Sequence, residues 1–531
     1  MSSPASPADV SPIPDELEED APVAPKAEQI ARGPITISIM LATLMNALDT
    51  TIANVALPHI QGSVSASAEQ VTWVLTSYIV AAAIMTPMTG WLSGRIGRKL
   101  LFLISIVGFT IASMLCGAAT SLFEIVLFRL LQGLFGASLI PLSQAVLLDI
   151  NPVEKHGQAM AVWGMGVMLG PILGPGLGGW LTDNFSWRWV FYINLPVGIL
   201  AFMGVWLFIK DNKHDNPKPF DFFGFGTLIT FVAAAQMFCD RGPSQDWFSS
   251  IEIWAEFIIA GLAFYLFLVH TLTAKHPFFD RALSRDRNFV VATVFGFALG
   301  VLLFSTLALL PPMLQNLMGY PVMTSGLVTM PRGIGTLFSM FVVGRLMGRV
   351  DTRLILLAGF SMSALALWEM SNFSLEMGPT PVVISGLIQG FGIGLIFVPL
   401  SALAFATLNP VLRAEASAVY NLVRNLGSSV GISIMVAMQT YLATVSHSDQ
   451  VGHLDPANPT TSQVLPPGGG SGGMTSLIEG VNGEITRQAT MVSYVDVFRM
   501  MVFMTLCVIP LLLLLSKPKS SKVDPAHAVA D

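Results

Sequence analysis

The sequence predicts an all-α integral membrane protein: fourteen transmembrane helices, built as two parallel six-helix repeats with two further helices inserted between them. Three observations carry this. The 531-residue chain is 53% hydrophobic and 11% charged, against roughly 25% charged residues in an ordinary soluble chain. Fourteen apolar runs approach or exceed the length, about 20 residues, that crosses a hydrocarbon core of about 30 Å. The two halves of the chain also repeat one another's motifs in the same order and at nearly one offset.

The runs fall at 35–56, 71–92, 100–119, 124–148, 159–181, 189–208, 222–239, 251–272, 289–310, 325–347, 354–371, 381–406, 417–441 and 496–515. In lipid each backbone N–H and C=O must be bonded within its own segment, so these runs are helices. Mean hydropathy is +0.67. With both termini inside, 20 of the 27 basic residues lie on the cytoplasmic side, as the excess of Lys and Arg in inner loops requires. Arg188, Arg241, Arg487 and Arg499 fall outside, and Arg129, Arg332 and Arg424 fall within spans. Residues 1–33 are proline-rich and acidic and read as a disordered cytoplasmic tail, with 517–531 as a second tail. The bundles are expected over 34–208 and 289–516, joined by a linker with the two inserted helices at 209–288.

The repeat is read from matched pairs. "GWLSGRIGRK" at 90–99 aligns with "GRLMGRVDTR" at 344–353. "LLQG" at 130–133 aligns with "LIQG" at 387–390, and each precedes Pro-Leu-Ser. "NPV" occurs at 151–153 and 409–411, and Gly170 and Gly174 match Gly427 and Gly431. Matched segments lie on the same membrane side, so the repeats are parallel. Parallel halves with a central site are a transporter plan.

The fifth span, "WGMGVMLGPILGPGLGGWL" at 163–181, holds seven glycines and two prolines. Gly166, Gly170, Gly174 and Gly178 recur every four residues and share one helix face. Such a small-residue stripe admits a second helix at close range. Pro171 and Pro175 each remove a backbone donor and can bend the helix. The stripe therefore reads as a bendable interface, and the repeat points to span 13, with Gly427 and Gly431, as its partner. A nominal G-x-G-x-x-G within it lacks a preceding strand and is not a nucleotide site. A nominal G-x-S-x-G at 469–473 sits in a glycine-rich loop and is no nucleophile elbow.

Ionisable residues inside a span are costly and usually have a role or a partner. Asp49 in span 1 and Arg129 in span 4 lie at similar depth in the outer half of the membrane. The repeat equivalent of Arg129 falls near Gly386, so this charge belongs to the first half alone. Asp49 and Arg129 are the candidates for proton coupling. Gln132, Gln144, Arg332, Gln389, Asn421 and Arg424 are weaker candidates for a substrate cavity, with helix–helix hydrogen bonding as the alternative. The chain also holds 27 methionines and 34 phenylalanines, some of which suit a greasy, adaptable cavity. The loop expected at 442–494, with "PPGGGSGG" at its centre, reads as a flexible connector or a docking surface.

Taken together the motifs resemble the major facilitator superfamily, in its fourteen-helix drug/proton antiporter family of the EmrB/QacA type, nearer the EmrB side. "LDTTIANVALPHI" (48–60) resembles the first-helix motif, "GWLSGRIGRK" the superfamily loop motif, and "RLLQGLFGA" (129–137) the fourth-helix motif. The fifth span resembles the antiporter motif, and "DRGPSQDWFSS" (240–250) the EmrB-type connection between the inserted helices. The resemblance implies a proton-coupled exporter of lipophilic or amphipathic compounds. It makes Gly90, Arg95, Gly97, Arg98 and Lys99 an inner-gate loop. It also implies a periplasmic adaptor and an outer-membrane channel as partners in an inner membrane. One departure is Gly94, where the superfamily usually has an acid. A dedicated exporter of one metabolite, such as a siderophore, fatty acid or antibiotic, fits the same motifs. A membrane enzyme or receptor would need catalytic groups at matched depth, and the sequence shows none. No metal, organic cofactor or nucleic-acid partner is expected, the proton gradient supplying the drive.

Overall fold

The computed structural model describes residues 32–71, 73–152, 155–210, 219–452 and 471–515. The expected tails and the centre of the glycine-rich segment lie largely outside these residues. Fourteen spans are present among the described residues, counting one bent pair as a single span. We label them α1 (Arg32–Ser63), α2 (Trp73–Met85 and Met88–Ile96), α3 (Arg98–Ala118), α4 (Leu122–Ile150), α5 (His156–Asn184), α6 (Trp189–Phe208) and α7 (Phe222–Arg241). The rest are α8 (Ile251–Thr273), α9 (Arg287–Pro312), α10 (Val322–Leu346), α11 (Thr352–Met370), α12 (Thr380–Ala406), α13 (Arg413–Gly452) and α14 (Ser471–Val508).

Local chemistry sets the ends and bends. Asp221, Asp286 and Asp351 each accept a backbone N–H at the start of α7, α9 and α11, satisfying donors that a helix start leaves open. Gly97 at φ +87° reverses the chain in one residue between α2 and α3, a conformation a Cβ disfavours. The halves of α2 meet at 58° beside Pro87. α5, by contrast, runs unbroken through Pro171 and Pro175.

The glycine stripe packs on α1, not on α13. A Cβ added to Gly170 would come within 2.6 Å of the Ala47 carbonyl carbon, and one on Gly178 within 2.8 Å of Ile52. Thr51 Oγ1 donates to the Gly170 carbonyl at 3.2 Å, tying the two helices. In the second half α13 meets α9 in the same way: Gly427 faces Phe297 and Gly431 faces Val301. The repeat equivalence therefore holds, but each glycine helix packs on the first helix of its own half.

Another side of α5 meets the second half. Gly164 faces Met340, Ala161 faces Gly344, and Trp163 stacks on Phe397 with ring centroids 6.0 Å apart. The Met88–Ile96 segment of α2 and the Leu139–Ile150 segment of α4 both touch α13. These contacts gather toward one end of the bundle, the end carrying Arg95–Lys99, called here the motif face. α7 packs between α2 and α13, with Ser429 and Ser433 of α13 donating to Gln236 Oε1 and the Cys239 carbonyl. α8 lies outermost and is largely exposed.

The loop expected at 442–494 is mostly helix. α13 continues to Gly452 and α14 begins at Ser471. At 1.5 Å per residue each is nearly 60 Å long, about twice a hydrocarbon core. Gln439 donates to Ser493 Oγ, and His447 Nε2 pairs with Asn482 Oδ1 at 3.0 Å. Pairing between the two arms lets them continue beyond the apolar run, which hydropathy alone does not foresee.

Candidate functional site

α1 carries Asp49 about 26 Å from its motif-face end, at 1.5 Å per residue, so the carboxylate lies past the helix middle. α4 brings Arg129 to it, with Nη1 2.5 Å from Asp49 Oδ2. Both side chains are closed to solvent, at 0% and 1% exposure. Gln132, one turn along α4, donates from Nε2 to Asp49 Oδ1 at 2.8 Å and accepts from Arg129 Nη1 at 2.8 Å. Asn194 of α6 donates to Asp49 Oδ1 at 3.2 Å, and Arg129 Nε donates to the Val74 carbonyl of α2. The guanidinium carbon stands 4.3 Å from the centroid of the Tyr78 ring and 5.7 Å from that of Phe191. Asn46 reaches Tyr78 Oη and the Gly136 carbonyl. Asn194 Nδ2 also donates to Ser113 Oγ of α3 at 2.9 Å, so five of the six helices of the first half meet around one carboxylate.

Such a buried pair is held by geometry and by the hydrogen bonds that satisfy its remaining donors and acceptors. A neutral Asp49 would lose the Coulomb attraction to Arg129 and accept more weakly at Oδ1 from Gln132 and Asn194. Matched depth made the pair legible in the sequence. Tyr78, Asn194 and Ser113 escaped it, the signal in Asn194 and Ser113 being a lone polar residue in an apolar span.

The other sequence candidates separate. Gln144 of α4 accepts at 2.8 Å from Asn421 Nδ2 and also from Ser417 Oγ of α13, so it joins the halves. Gln389 donates to Thr306 Oγ1 at 3.1 Å, within the second half. Arg332 donates to the Leu303 carbonyl at 3.0 Å, and the Arg424 guanidinium lies 5.6 Å from the Phe397 centroid. Among the described residues no group of three metal-ligating side chains occurs.

On the motif face Asp149 of α4 accepts from Arg98 of the first half and, at 2.9 Å, from Arg413 of the second. The loop motif thus reaches the other half through a carboxylate that hydropathy places at the end of a span. Gly90 fits because α13 passes there: a Cβ would come within 2.8 Å of Glu415 Cα. Arg95 is exposed and lies over Trp91, and Lys99 is half-buried.

The profile of the Major Facilitator Superfamily matches residues 39–432. The chain belongs to this superfamily. The fatty acid resistance protein FarB of Neisseria gonorrhoeae is 36% identical over 489 residues, 91% of this chain and 96% of that protein. The multidrug export protein EmrB of Escherichia coli K12 is 35% identical over 469 residues, 88% and 92% of the two chains. The proton:xylose symporter XylE shares the fold, with a TM-score of 0.57 at 13% identity over 90% of this chain and 96% of its own. As a facilitator the chain is a multi-pass membrane transporter. Its departure at Gly94 has a simple setting: a Cβ there would meet nothing within 4 Å. An ion pair across the halves is made nearby by Asp149 with Arg413.

Proposed function

We propose that this facilitator exports lipophilic and amphipathic toxic compounds in exchange for protons, as an EmrB-type multidrug antiporter of the inner membrane. The observation that carries this is the buried Asp49–Arg129–Gln132–Asn194 cluster, confined to one half. A proton arriving at Asp49 loosens that cluster, and its release restores it. A potential of 100 mV supplies about 2.3 kcal/mol per charge moved, enough to support a cargo gradient without a cofactor. The motif face is assigned to the cytoplasm by its lysines and arginines. The EmrB relative, named for multidrug export, favours a broad cargo range, and the FarB relative, named for fatty acid resistance, favours a narrower one.

We further propose that the pump works with a periplasmic adaptor and an outer-membrane channel. The α7–α8 connection at 240–250 and the projecting α13–α14 arms supply surface for that contact.

Purified protein in vesicles tests the antiport. Wild type should release protons when substrate is added, and Asp49→Asn should abolish the release while the protein still inserts. Normal exchange in Asp49→Asn would overturn the coupling role. Full resistance in a strain lacking any periplasmic adaptor would remove the partners and leave a stand-alone pump.

A further inference from the structure

The two inserted helices and the segment after them make one block. His270 Nε2, near the end of α8, lies 2.9 Å from both carboxylate oxygens of Asp221 at the start of α7. Beyond α8 the chain folds back on it. Arg281 donates from Nε to the Thr271 carbonyl at 2.9 Å and from Nη2 to the Ala274 carbonyl at 2.6 Å. Phe278 packs on Phe225 of α7 with ring centroids 5.1 Å apart, and Phe279 meets Phe267 of α8 at 6.2 Å.

This block is tied to α13 at both ends. Near the outer end of α7, Ser429 Oγ donates to Gln236 Oε1 at 2.8 Å and Ser433 Oγ to the Cys239 carbonyl at 2.7 Å. At the motif face, the Asp280 N–H donates to Glu415 Oε1 in the first turn of α13. Toward the first half the contacts are of another kind. Ala83 of α2 shares an apolar cluster with Leu228 and Val232 of α7. Trp91 of α2 meets Phe220 edge-on with centroids 4.7 Å apart, and Phe220 in turn meets Phe278. The difference matters in a bilayer. Lipid tails replace a lost apolar contact at little cost. They neither donate nor accept hydrogen bonds, so parting α7 from α13 would strand polar groups in hydrocarbon.

We infer that α7, α8 and the segment 274–286 travel with the second half, so that α7–α14 form one body that rocks against α1–α6. The seam between α2 and α7 is the plane that opens, and Trp91 with Phe220 is the catch that closes it on the motif face. The inserted pair is then a working part of the gate and no passive flank: it keeps that side of α13 covered whichever way the halves lean. The inference needs only that parallel halves rock against each other, whatever the cargo and whatever drives it.

The test measures distances between pairs of spin labels on the full chain in nanodiscs, with Cys116, Cys239 and Cys507 replaced by serine. Leu100 of α3, Leu272 of α8 and Leu354 of α11 are exposed and lie toward the motif face. Gly90→Leu supplies the opening, since a Cβ there would already come within 2.8 Å of Glu415 Cα. It should lengthen the Leu100–Leu354 and Leu100–Leu272 distances together and leave Leu272–Leu354 unchanged. Asp149→Asn, which adds no bulk, should give the same pattern in a smaller population. Trp91→Ala should enlarge the long population about twofold to tenfold. Phe220→Ala should do the same, and the double variant should add little, because both remove one contact. Lengthening of Leu272–Leu354, or a Leu100–Leu272 distance that stays put while Leu100–Leu354 grows, would overturn the proposal. So would three distances that ignore both Gly90→Leu and Asp149→Asn, because the halves would then part elsewhere. Populations that ignore both Trp91→Ala and Phe220→Ala would remove the catch.

Discussion

In the first half, Gly133 of α4 packs against the Tyr78 carbonyl of α2; in the second, Gly390 of α12 packs against the Arg332 carbonyl of α10. The backbone contact is the same and the side chain it supports is not. Tyr78 offers a ring to Arg129, whereas Arg332 is itself the cation. The α1 and α9 helices differ likewise. Ala47 and Thr51 face the α5 glycines as Phe297 and Val301 face those of α13. By that register Leu299 stands where Asp49 does, and it is buried and apolar. Close helix packing tolerates few substitutions along its glycine seam, but the polar residues beside the seam are free to diverge. One half has a closed, neutral charge cluster; the other has cations that remain open to a partner. That division suits a proton site in one half and cargo contacts in the other.

The sharpest way to break this comparison is to delete one arginine from each half. Arg129→Ala leaves Asp49 buried and unpaired, an error worth about 3–5 kcal/mol. Removing Arg332 by substitution with Gln orphans only the Leu303 carbonyl, a loss of about 1 kcal/mol. Thermal unfolding in nanodiscs should therefore drop sharply for Arg129→Ala and little for Arg332→Gln. Pairing Arg129→Leu with Asp49→Leu should recover most of the stability and none of the proton coupling. Equal destabilisation by the two single changes would mean that Arg332 has a partner as strong as Asp49.

A smaller effect tests the shared backbone. Gly170→Leu and Gly427→Leu each place a side chain against a neighbouring backbone, at α1 and α9. Overpacking of this kind costs about 1–3 kcal/mol. Both variants should lose stability by similar amounts, and both should lose efflux in a resistance assay. A silent Gly427→Leu would show that the seam works only in the first half.

Much of this was legible in the sequence, and the limits have physical causes. Span number follows from hydropathy, because lipid forces backbone closure on every apolar run. The Asp49–Arg129 pair follows from depth, since two opposite charges at one level of a membrane have strong reason to meet. The partner of the glycine stripe did not follow. A stripe of Gly166, Gly170, Gly174 and Gly178 says that some helix comes close, not which one. For Gln144 the sequence offers helix–helix bonding beside a cavity role, but not the helix it bonds; that the partner is Asn421 of the other half is visible only in the assembled bundle. The arms of α13 and α14 escaped because their pairing through His447 and Asn482 depends on two segments 35 residues apart.

The smallest expected effect lies where the halves meet on the motif face. Asp149 is 22% exposed, and its partners Arg98 and Arg413 are 16% and 10% exposed. Ion pairs that solvent reaches are worth about 0–1 kcal/mol, so breaking this one shifts the balance of conformations by no more than about fivefold. A cysteine at Ala161, which packs against Gly344 between the halves, reports that balance through its labelling by a polar maleimide, in a Cys507→Ser background. Asp149→Asn and Arg413→Gln should each raise the labelling rate about twofold to fivefold. The double variant should add little, because both changes remove the same contact. Raising salt should speed the wild type toward the variants and leave the variants alone. Labelling that ignores both substitutions would place the closing force in the Gln144–Asn421 and Trp163–Phe397 contacts, and the missing acid at Gly94 would then have no charged replacement.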